Sequence, residues 1–223
     1  MSGAPINSID IVLCAPHGRH LAVLLVRDKG KRAREKWCLP WAAVDADDIL
    51  DRIAADVARD ASGARAGWLA QAGAFADGKR HPGKAQLSVA YAGVMPYRDD
   101  APPKHAGGKW FAAGELPPVP PRHRAMIDAA LAQLRERMDR APVAFHLLGP
   151  TFTLSELQAV YELLLGRRLH KASFRRALTA AFLVEPIDEW QSEGRGRPAQ
   201  LFRYAPRKRR GGRGGVRFEL LGG

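Results

Sequence analysis

Three of the four aspartates from residue 48 to residue 60 have the spacing that divalent-metal chemistry uses. Asp56 and Asp60 are four residues apart, so a helix would place both carboxylates on one face, and Asp48 precedes that helix. Hard cations such as Mg²⁺ need several carboxylate oxygens that converge on one point, and such an ion clamps a diphosphate and activates water. The alternative is a pair of solvated acids on a helix face. The segment therefore has the outline of a phosphate-chemistry site.

A loop, an amphipathic helix and a closing glycine must position these acids. Apolar residues recur at helical spacing from 49 to 61, Asp47 and Asp48 suit a helix N-terminus, and Gly63 fits its end. The strand-like segments are 8–15, 20–28, 68–77, 85–96 and 109–116, and a second amphipathic helix is predicted at 123–138. The order β-β-α-β-β-β-α predicts a mixed sheet with helices on its faces.

Composition narrows the class of protein. The chain has 223 residues, 46% of them hydrophobic, and no apolar run of about 18 residues that would predict a membrane span. The first residues do not resemble a secretion signal, and Cys14 and Cys38 are the only cysteines. We therefore expect a cytoplasmic protein with reduced thiols and no membrane partner.

Positive charge is concentrated in the last third of the chain. The net charge is +12, and residues 141–223 hold 14 Lys and Arg against seven Asp and Glu. Such a balance favours a polyanionic partner, although it also serves solubility. The Arg- and Gly-rich tail 207–223 is too polar to fold alone and predicts salt-sensitive, sequence-independent contact with nucleic acid, or a solvated extension.

The same part of the chain has the order of a winged helix-turn-helix. A helix at 153–166 begins with a capping box of Thr153 and Glu156 and ends at Gly166. A short turn leads to a helix at 171–183, and two strand-like segments follow, joined by an Arg- and Gly-rich tip. In this motif the start of the second helix reaches base edges, and the wing holds phosphates or enters the minor groove. The predicted DNA-binding residues are Lys171, Ser173, Arg175, Arg176, Arg195, Arg197 and Arg203.

Segment 39–64, LPWAAVDADDILDRIAADVARDASGA, resembles the Nudix box of nucleotide-diphosphate hydrolases, in which glutamates on one helix face hold Mg²⁺. The box glycine falls at Ala42, and Gly63 is kept. The positions of the acids are occupied by Asp48, by Asp56 with Val57, and by Asp60 with Ala61. The resemblance thus implies a Nudix-like domain without catalytic or metal-binding residues.

Three further segments resemble one group derived from Nudix proteins, the Nudix-related transcriptional regulators of the NrtR family. Segment 68–96 carries Gln, Phe, Asp, Arg and Pro before an SVAY strand, and FTLSELQAVYELLLG with GRGRPAQLFRY matches the winged-helix half of that family. The resemblance implies an ADP-ribose-type effector. Arg donors suit a diphosphate, and aromatic rings could stack on a base, the alternatives being an exposed loop cation and core aromatics. The predicted ligand-binding residues are Trp41, Gln71, Phe75, Asp77, Arg80 and Tyr91.

Trp41 and Ala42 replace a Gly-Gly pair that lets the backbone approach phosphate in that family. Trp41 either narrows the pocket or offers a new stacking face.

The fold expected is α+β: a Nudix-like α/β/α sandwich at 1–140, a winged helix domain at 141–206 and a basic tail at 207–223. The resemblance implies a homodimeric repressor that reads a palindromic operator, requires no cofactor and controls NAD-metabolism or related genes. Two alternatives are open. One is an active Nudix hydrolase that uses Asp48, Asp56 and Asp60, and the other is a DNA-binding protein with a purely structural Nudix domain.

Overall fold

The computed structural model describes residues 6–28, 30, 36–96, 108–138, 141–192 and 198–205. The chain divides into two compact units, Met1–Gln133 and Leu134–Gly223. Within the described ranges, no helix combines the length and apolarity that crossing a membrane needs. The domain boundary predicted after residue 140 stays a prediction, because residues 139 and 140 lie outside the described part of the chain.

The first unit is built on a mixed seven-stranded sheet. Its helices are α1 (Leu50–Ser62) and α2 (Pro121–Arg137), and the last four residues of α2 belong to the second unit. The strands are β1 (Asn7–His17), β2 (His20–Arg27), β3 (Trp37–Cys38), β4 (Trp41–Val44), β5 (Trp68–Phe75), β6 (Leu87–Val94) and β7 (Gly108–Ala112).

Strand β1 lies at the centre of this sheet. It pairs with β2 as the predicted antiparallel hairpin and with β6 in parallel, and the order across the sheet is β3-β2-β1-β6-β5. The short strand β4 pairs with the first residues of β1, so that Trp41 lies opposite Asp10, while β7 pairs with β2. The sequence did not predict β3 or β4, because strands of two and four residues are too short to show alternation.

Helix α1 packs small residues on the sheet. Ala54, Ala58 and Ala61 are buried against apolar side chains of β1, and Gly63 ends the helix at a φ of +73°, as predicted. The helix begins one residue later than expected. Ile49, predicted to be on the apolar face, is 67% exposed at the N-cap, and no side chain caps the helix there.

The second unit has the predicted winged-helix order. The capping box of Thr153 and Glu156 and the left-handed Gly166 are both present. Phe145, Phe152, Tyr161 and Phe174 form an aromatic core. The helices are α3 (Leu154–Leu165) and α4 (Lys171–Ala181), and the strands, ordered β8-β10-β9, are β8 (Thr151–Thr153), β9 (Val184–Gln191) and β10 (Ala199–Tyr204). The sequence did not predict β8 or a 3-10 helix at Val143–Leu147.

Candidate ligand pocket and nucleic-acid interface

The first unit contains a cavity of about 630 Å³. Its walls come from the end of β2, the β3–β4 segment, the C-terminal half of α1 and the loop before β6. Apolar walls and a few charged groups are the usual make-up of a small-molecule site, and this volume lies within the usual range. The lining residues include Val26, Arg27, Asp28, Trp41, Val57, Asp60, Pro82 and Gly83.

Trp41 forms one wall and rests on Gly83. A Cβ built at Gly83 would overlap the six-membered ring of Trp41, so the wall depends on a glycine at that position. The Trp41 ring also makes an edge contact with His81, with 5.0 Å between ring centroids. The bulky residue that replaces the expected glycine is therefore matched by a glycine opposite.

Behind this wall lies a buried cluster that sequence reasoning missed, formed by Asp10, His81 and His123. Nε2 of His81 lies 2.8 Å from Oδ1 of Asp10, and Nε2 of His123 lies 2.9 Å from the same oxygen. The His123 contact lacks the alignment of a hydrogen bond, so we treat it as electrostatic. The three side chains are far apart in sequence, and the one available signal was a charged residue inside the apolar run SIDIVLCA.

Backbone donors fix the protons of this cluster. Nδ1 of His81 accepts from the Gly83 amide, and Nδ1 of His123 accepts from the Leu39 amide, both at 3.0 Å. Each neutral ring therefore carries its proton on Nε2, facing Asp10. Burial alone would raise the pKa of Asp10, but the two rings beside it hold that pKa at about 2.

The ligand atoms of the cluster lie within 4.8 Å of one another, which is close enough to hold a metal ion. The positions of the ring protons do not suit a metal ion. A metal on Nε2 needs the Nε2 lone pair, which moves the ring proton to Nδ1. In both histidines that proton would then face a backbone N–H. The cluster fits a hydrogen-bonded knot rather than a metal centre.

The aspartates of the Nudix-like helix do not converge on a metal position either. Asp56 and Asp60 lie 2.9 Å and 3.3 Å from the guanidinium of Arg59 on the same helix. Asp48 accepts from the Asp45 amide. In the described part of the chain, none of the three belongs to a group of His, Cys, Asp or Glu side chains with the spacing of metal ligands. These residues do not fit the Mg²⁺ clamp of a Nudix hydrolase.

Of the six predicted ligand-binding residues, Trp41 lines the cavity, and the other five are not among its described lining residues. Gln71 is exposed on β5, and Phe75 ends that strand half-buried. Asp77 lies 3.2 Å from the Arg122 guanidinium, and the Arg80 carbonyl accepts from the Arg122 amide. Tyr91 is buried under α1 and donates to Asp51, and burial, then this bond, raises its pKa to about 12. Their roles in binding stay predictions.

In the second unit, α4 presents a basic face. Lys171, Arg175 and Arg176 are exposed, whereas Phe174 is buried in the core, as the sequence indicated. Lys171 and Arg175 are one turn apart, so they share a face of the helix. Ser173 is half-buried, and its hydroxyl lies 3.3 Å from Nδ1 of His170. This surface has the charge and the position of a helix that docks on DNA.

Polar side chains of α3 hold the turn that leads into α4. Oε1 of Glu162 accepts from the Leu169 amide at 2.9 Å, and the Gln158 amide donates to the Leu169 carbonyl. Partial burial would raise the pKa of Glu162, but the Leu169 amide, Gln158 and Arg168 lower it below its usual value. These bonds fix where α4 begins.

The wing carries the remaining predicted contacts. Arg203 is exposed on β10 and pairs with Glu185 at 2.9 Å. Arg195, Arg197 and the tail 207–223 lie outside the described residues, so their DNA contacts remain predictions. Trp190, on β9 next to the wing tip, is 56% exposed.

Comparison with known proteins agrees with this architecture. Residues 144–204 match the model of the NrtR DNA-binding winged helix domain. The ADPR responsive transcriptional repressor NtrR of Acinetobacter baylyi is 26% identical over 208 residues, which are 91% of this chain and 83% of the relative.

Two solved structures extend the likeness. Shewanella oneidensis NrtR complexed with a 27mer DNA has a TM-score of 0.78 and 27% identity, over 89% of this chain and 93% of that one. The NUDIX domain of the same protein, complexed with ADP ribose, has a TM-score of 0.51 and 21% identity, over 60% of this chain and 90% of that one, and therefore bears on the fold. Residues 144–204 thus match the NrtR DNA-binding winged helix domain, and the chain as a whole is similar to Shewanella oneidensis NrtR.

Proposed function

We propose that this chain is a DNA-binding transcriptional repressor whose Nudix-like unit binds a nucleotide-type effector such as ADP-ribose without hydrolysing it. The observation that carries the proposal is the exposed basic face of α4 in an NrtR-type winged helix domain. Arg is the commonest reader of guanine in the major groove, and Lys and Ser commonly hold phosphates. We assign the first role to one of Arg175 and Arg176 and the second role to Lys171.

The cavity of the first unit supports the effector. Its volume suits a nucleotide, Trp41 offers an aromatic wall, and Arg27 supplies a cation. The Acinetobacter baylyi relative is described as responsive to ADPR, which makes ADP-ribose the first ligand to test. The pairing of Asp56 and Asp60 with Arg59 favours binding without turnover, because diphosphate hydrolysis in this fold depends on metal.

The oligomeric state and the cellular role are proposed on the same basis. We propose a cytoplasmic homodimer that reads a palindromic operator, since two-fold sites match two-fold proteins, and that controls NAD-metabolism or related genes. Light scattering of the complex with selected DNA would measure two chains per duplex.

The direct test has two arms. DNA duplexes that the purified chain selects from a random pool should share a palindromic sequence. The Arg175→Ala variant should no longer select that sequence. Calorimetry with ADP-ribose should give a saturable heat, and Mg²⁺ should produce no AMP. AMP release would establish a hydrolase, whereas DNA binding without any ADP-ribose heat would leave the Nudix-like unit a structural part.

A further inference from the structure

Asp10, His81 and His123, which form the knot, are not among the described lining residues of the cavity, yet burial of three ionisable groups is costly. Apolar residues of the same volume would make a simpler core. The side chains are fully buried, and both rings bond to segments that form cavity walls. These observations call for a role that is tied to the cavity.

We propose that Asp10, His81 and His123 are positioning residues that hold two walls of the cavity in the geometry that binds the effector. This inference rests on the proposed function for the identity of the ligand. The walls are segment 39–41, with Pro40 and Trp41, and segment 82–83, with Pro82 and Gly83.

His123, which lies on α2, holds the first wall in place. Its Nδ1 accepts from the Leu39 amide, and the carbonyl of Pro40 accepts from the Ile11 amide of β1 at 2.9 Å. Trp41 follows directly and lies opposite Asp10 in the β1–β4 register. The backbone that aims Trp41 into the cavity wall is therefore fixed from two sides.

His81 holds the second wall. Its Nδ1 accepts from the Gly83 amide, which closes the turn at Pro82 and seats Gly83 on the Trp41 ring. Edge contacts continue from Trp41 to His81 and from His81 to His123, with centroid distances of 5.0 Å and 4.9 Å. A shift of either histidine would therefore reach Trp41.

Asp10 joins the two histidines through one oxygen, while Ser8 donates to the other oxygen at 2.8 Å. Two charged groups lie near the knot: Arg122 donates to the carbonyl of Ala85 and pairs with Asp77, and Asp28 acts electrostatically on His123. The knot thus ties β1, the loop before β6 and the start of α2. Without a ring acceptor, the buried amide of Leu39 or the partly buried amide of Gly83 loses its partner, which makes that wall free to move.

The experiment compares three variants of the full chain. His123→Leu keeps volume but removes both polar functions of the ring, whereas His123→Gln keeps one donor and one acceptor in a planar amide. Ile127→Ala opens a cavity on the buried face of α2 one turn later and serves as the control for lost stability. Each is measured by ADP-ribose calorimetry, by the ¹⁵N-indole NMR signal of Trp41, and by denaturant unfolding.

We expect His123→Leu to weaken ADP-ribose binding by about tenfold and to shift the Trp41 signal. His123→Gln should recover most of both, and Ile127→Ala should lose stability without changing either. If His123→Leu binds ADP-ribose as the parent chain does, or if Ile127→Ala weakens binding equally, the knot is merely structural and the inference is overturned.

A measurement on the unaltered chain covers the case in which His123→Leu does not fold. Long-range ¹⁵N NMR should find the proton of both rings on Nε2, and a proton on Nδ1 of either ring would refute the knot. If the unaltered chain binds no ADP-ribose, the proposed effector is wrong, while the Trp41 signal and the ring protons still decide the positioning role.

Discussion

Arg175 and Arg176 offer the simplest test of the proposed DNA binding. Replacing either with Ala should weaken binding to the selected duplex by about 1–3 kcal/mol if it reads a base, with relaxed specificity at that position. If it holds a phosphate, binding should weaken evenly across sequences, and the salt dependence should fall by about one unit. Fluorescence anisotropy over a salt series separates the two.

Arg124→Ala is the matched control, because Arg124 is an exposed helical arginine of the first unit that pairs with Asp128. Equal affinities for all three variants and the unaltered chain would place the DNA-binding surface elsewhere.

A substitution at Gly83 tests how the cavity wall packs. A methyl group there would overlap Trp41, so Gly83→Ala should lower the free energy of unfolding by about 1–3 kcal/mol, as overpacking does. Adding Trp41→Phe should recover part of the loss, because contacting residues are not additive. Gly114→Ala, where a Cβ meets nothing within 4 Å, is the control. Equal stability of the Gly83 and Gly114 variants in urea would argue against the packing described.

The buried cluster around Asp10 could not be predicted from residue types. The Nudix-like motif directed attention to Asp48, Asp56 and Asp60, whose carboxylates were recognisable by helical spacing. The knot is assembled from β1, the loop before β6 and α2, and no local spacing relates those residues. Trp41 was identified because it breaks an expected motif, but its dependence on Gly83 is a matter of shape.

At the scale of elements, the α3–α4 turn decides how the basic helix is presented. Glu162→Ala leaves the Leu169 amide without its acceptor, and Leu169 is buried. We expect a loss of about 1–3 kcal/mol in the stability of the winged helix unit, and weaker DNA binding, although Glu162 is not among the predicted DNA contacts. Urea unfolding and anisotropy measure the two effects. Glu136→Ala, an exposed acid of α2, should change neither, and a similar loss in both variants would contradict this role for the turn.

The start of α2 makes the stability of the first unit depend on pH. Burial lowers the pKa of His123 below its ordinary value of 6.5, although Asp10 acts in the opposite direction. The folded state therefore favours the neutral ring. The resulting stabilisation is complete above pH 6.5 and is lost as pH falls through the lower folded-state pKa.

The free energy of unfolding should accordingly decrease below about pH 6.5, by at most about 1.4 kcal/mol per pH unit for this one proton. His123→Gln should remove that part of the slope in urea unfolding between pH 7.5 and 5. His146→Gln is the control: burial lowers the pKa of His146 as well, but this residue belongs to the second unit, so the variant should leave the slope of the first unit unchanged. An unchanged slope in His123→Gln would show that His123 does not set this dependence.

Elements with strong local signals were predictable. The β1–β2 hairpin, α1 with Gly63 and α3 with its capping box follow from periodicity and capping residues. Strands β3, β4 and β8 have two to four residues and form because neighbouring strands supply their hydrogen bonds, so nothing local predicts them. Ile49 was misassigned because helical spacing does not reveal where the buried face begins.

In the whole molecule, the proposed function couples a nucleotide-binding unit to a DNA-binding unit. If ADP-ribose lowers affinity for DNA, then DNA must lower affinity for ADP-ribose by the same factor. Such coupling requires an effector that binds the two states unequally, because a ligand with equal affinity for both shifts nothing. The net charge of +12 adds a salt-sensitive attraction to DNA that an effector need not alter.

The central claim is that the Nudix-like unit senses a nucleotide and does not consume it. The most direct measurement titrates ADP-ribose, with Mg²⁺ present, into the complex of the full chain with its selected duplex, following anisotropy and AMP together. We expect release of the DNA, saturable in ADP-ribose, with no AMP formed. DNA that stays bound at saturating ADP-ribose, or AMP that accumulates as the DNA leaves, would contradict it.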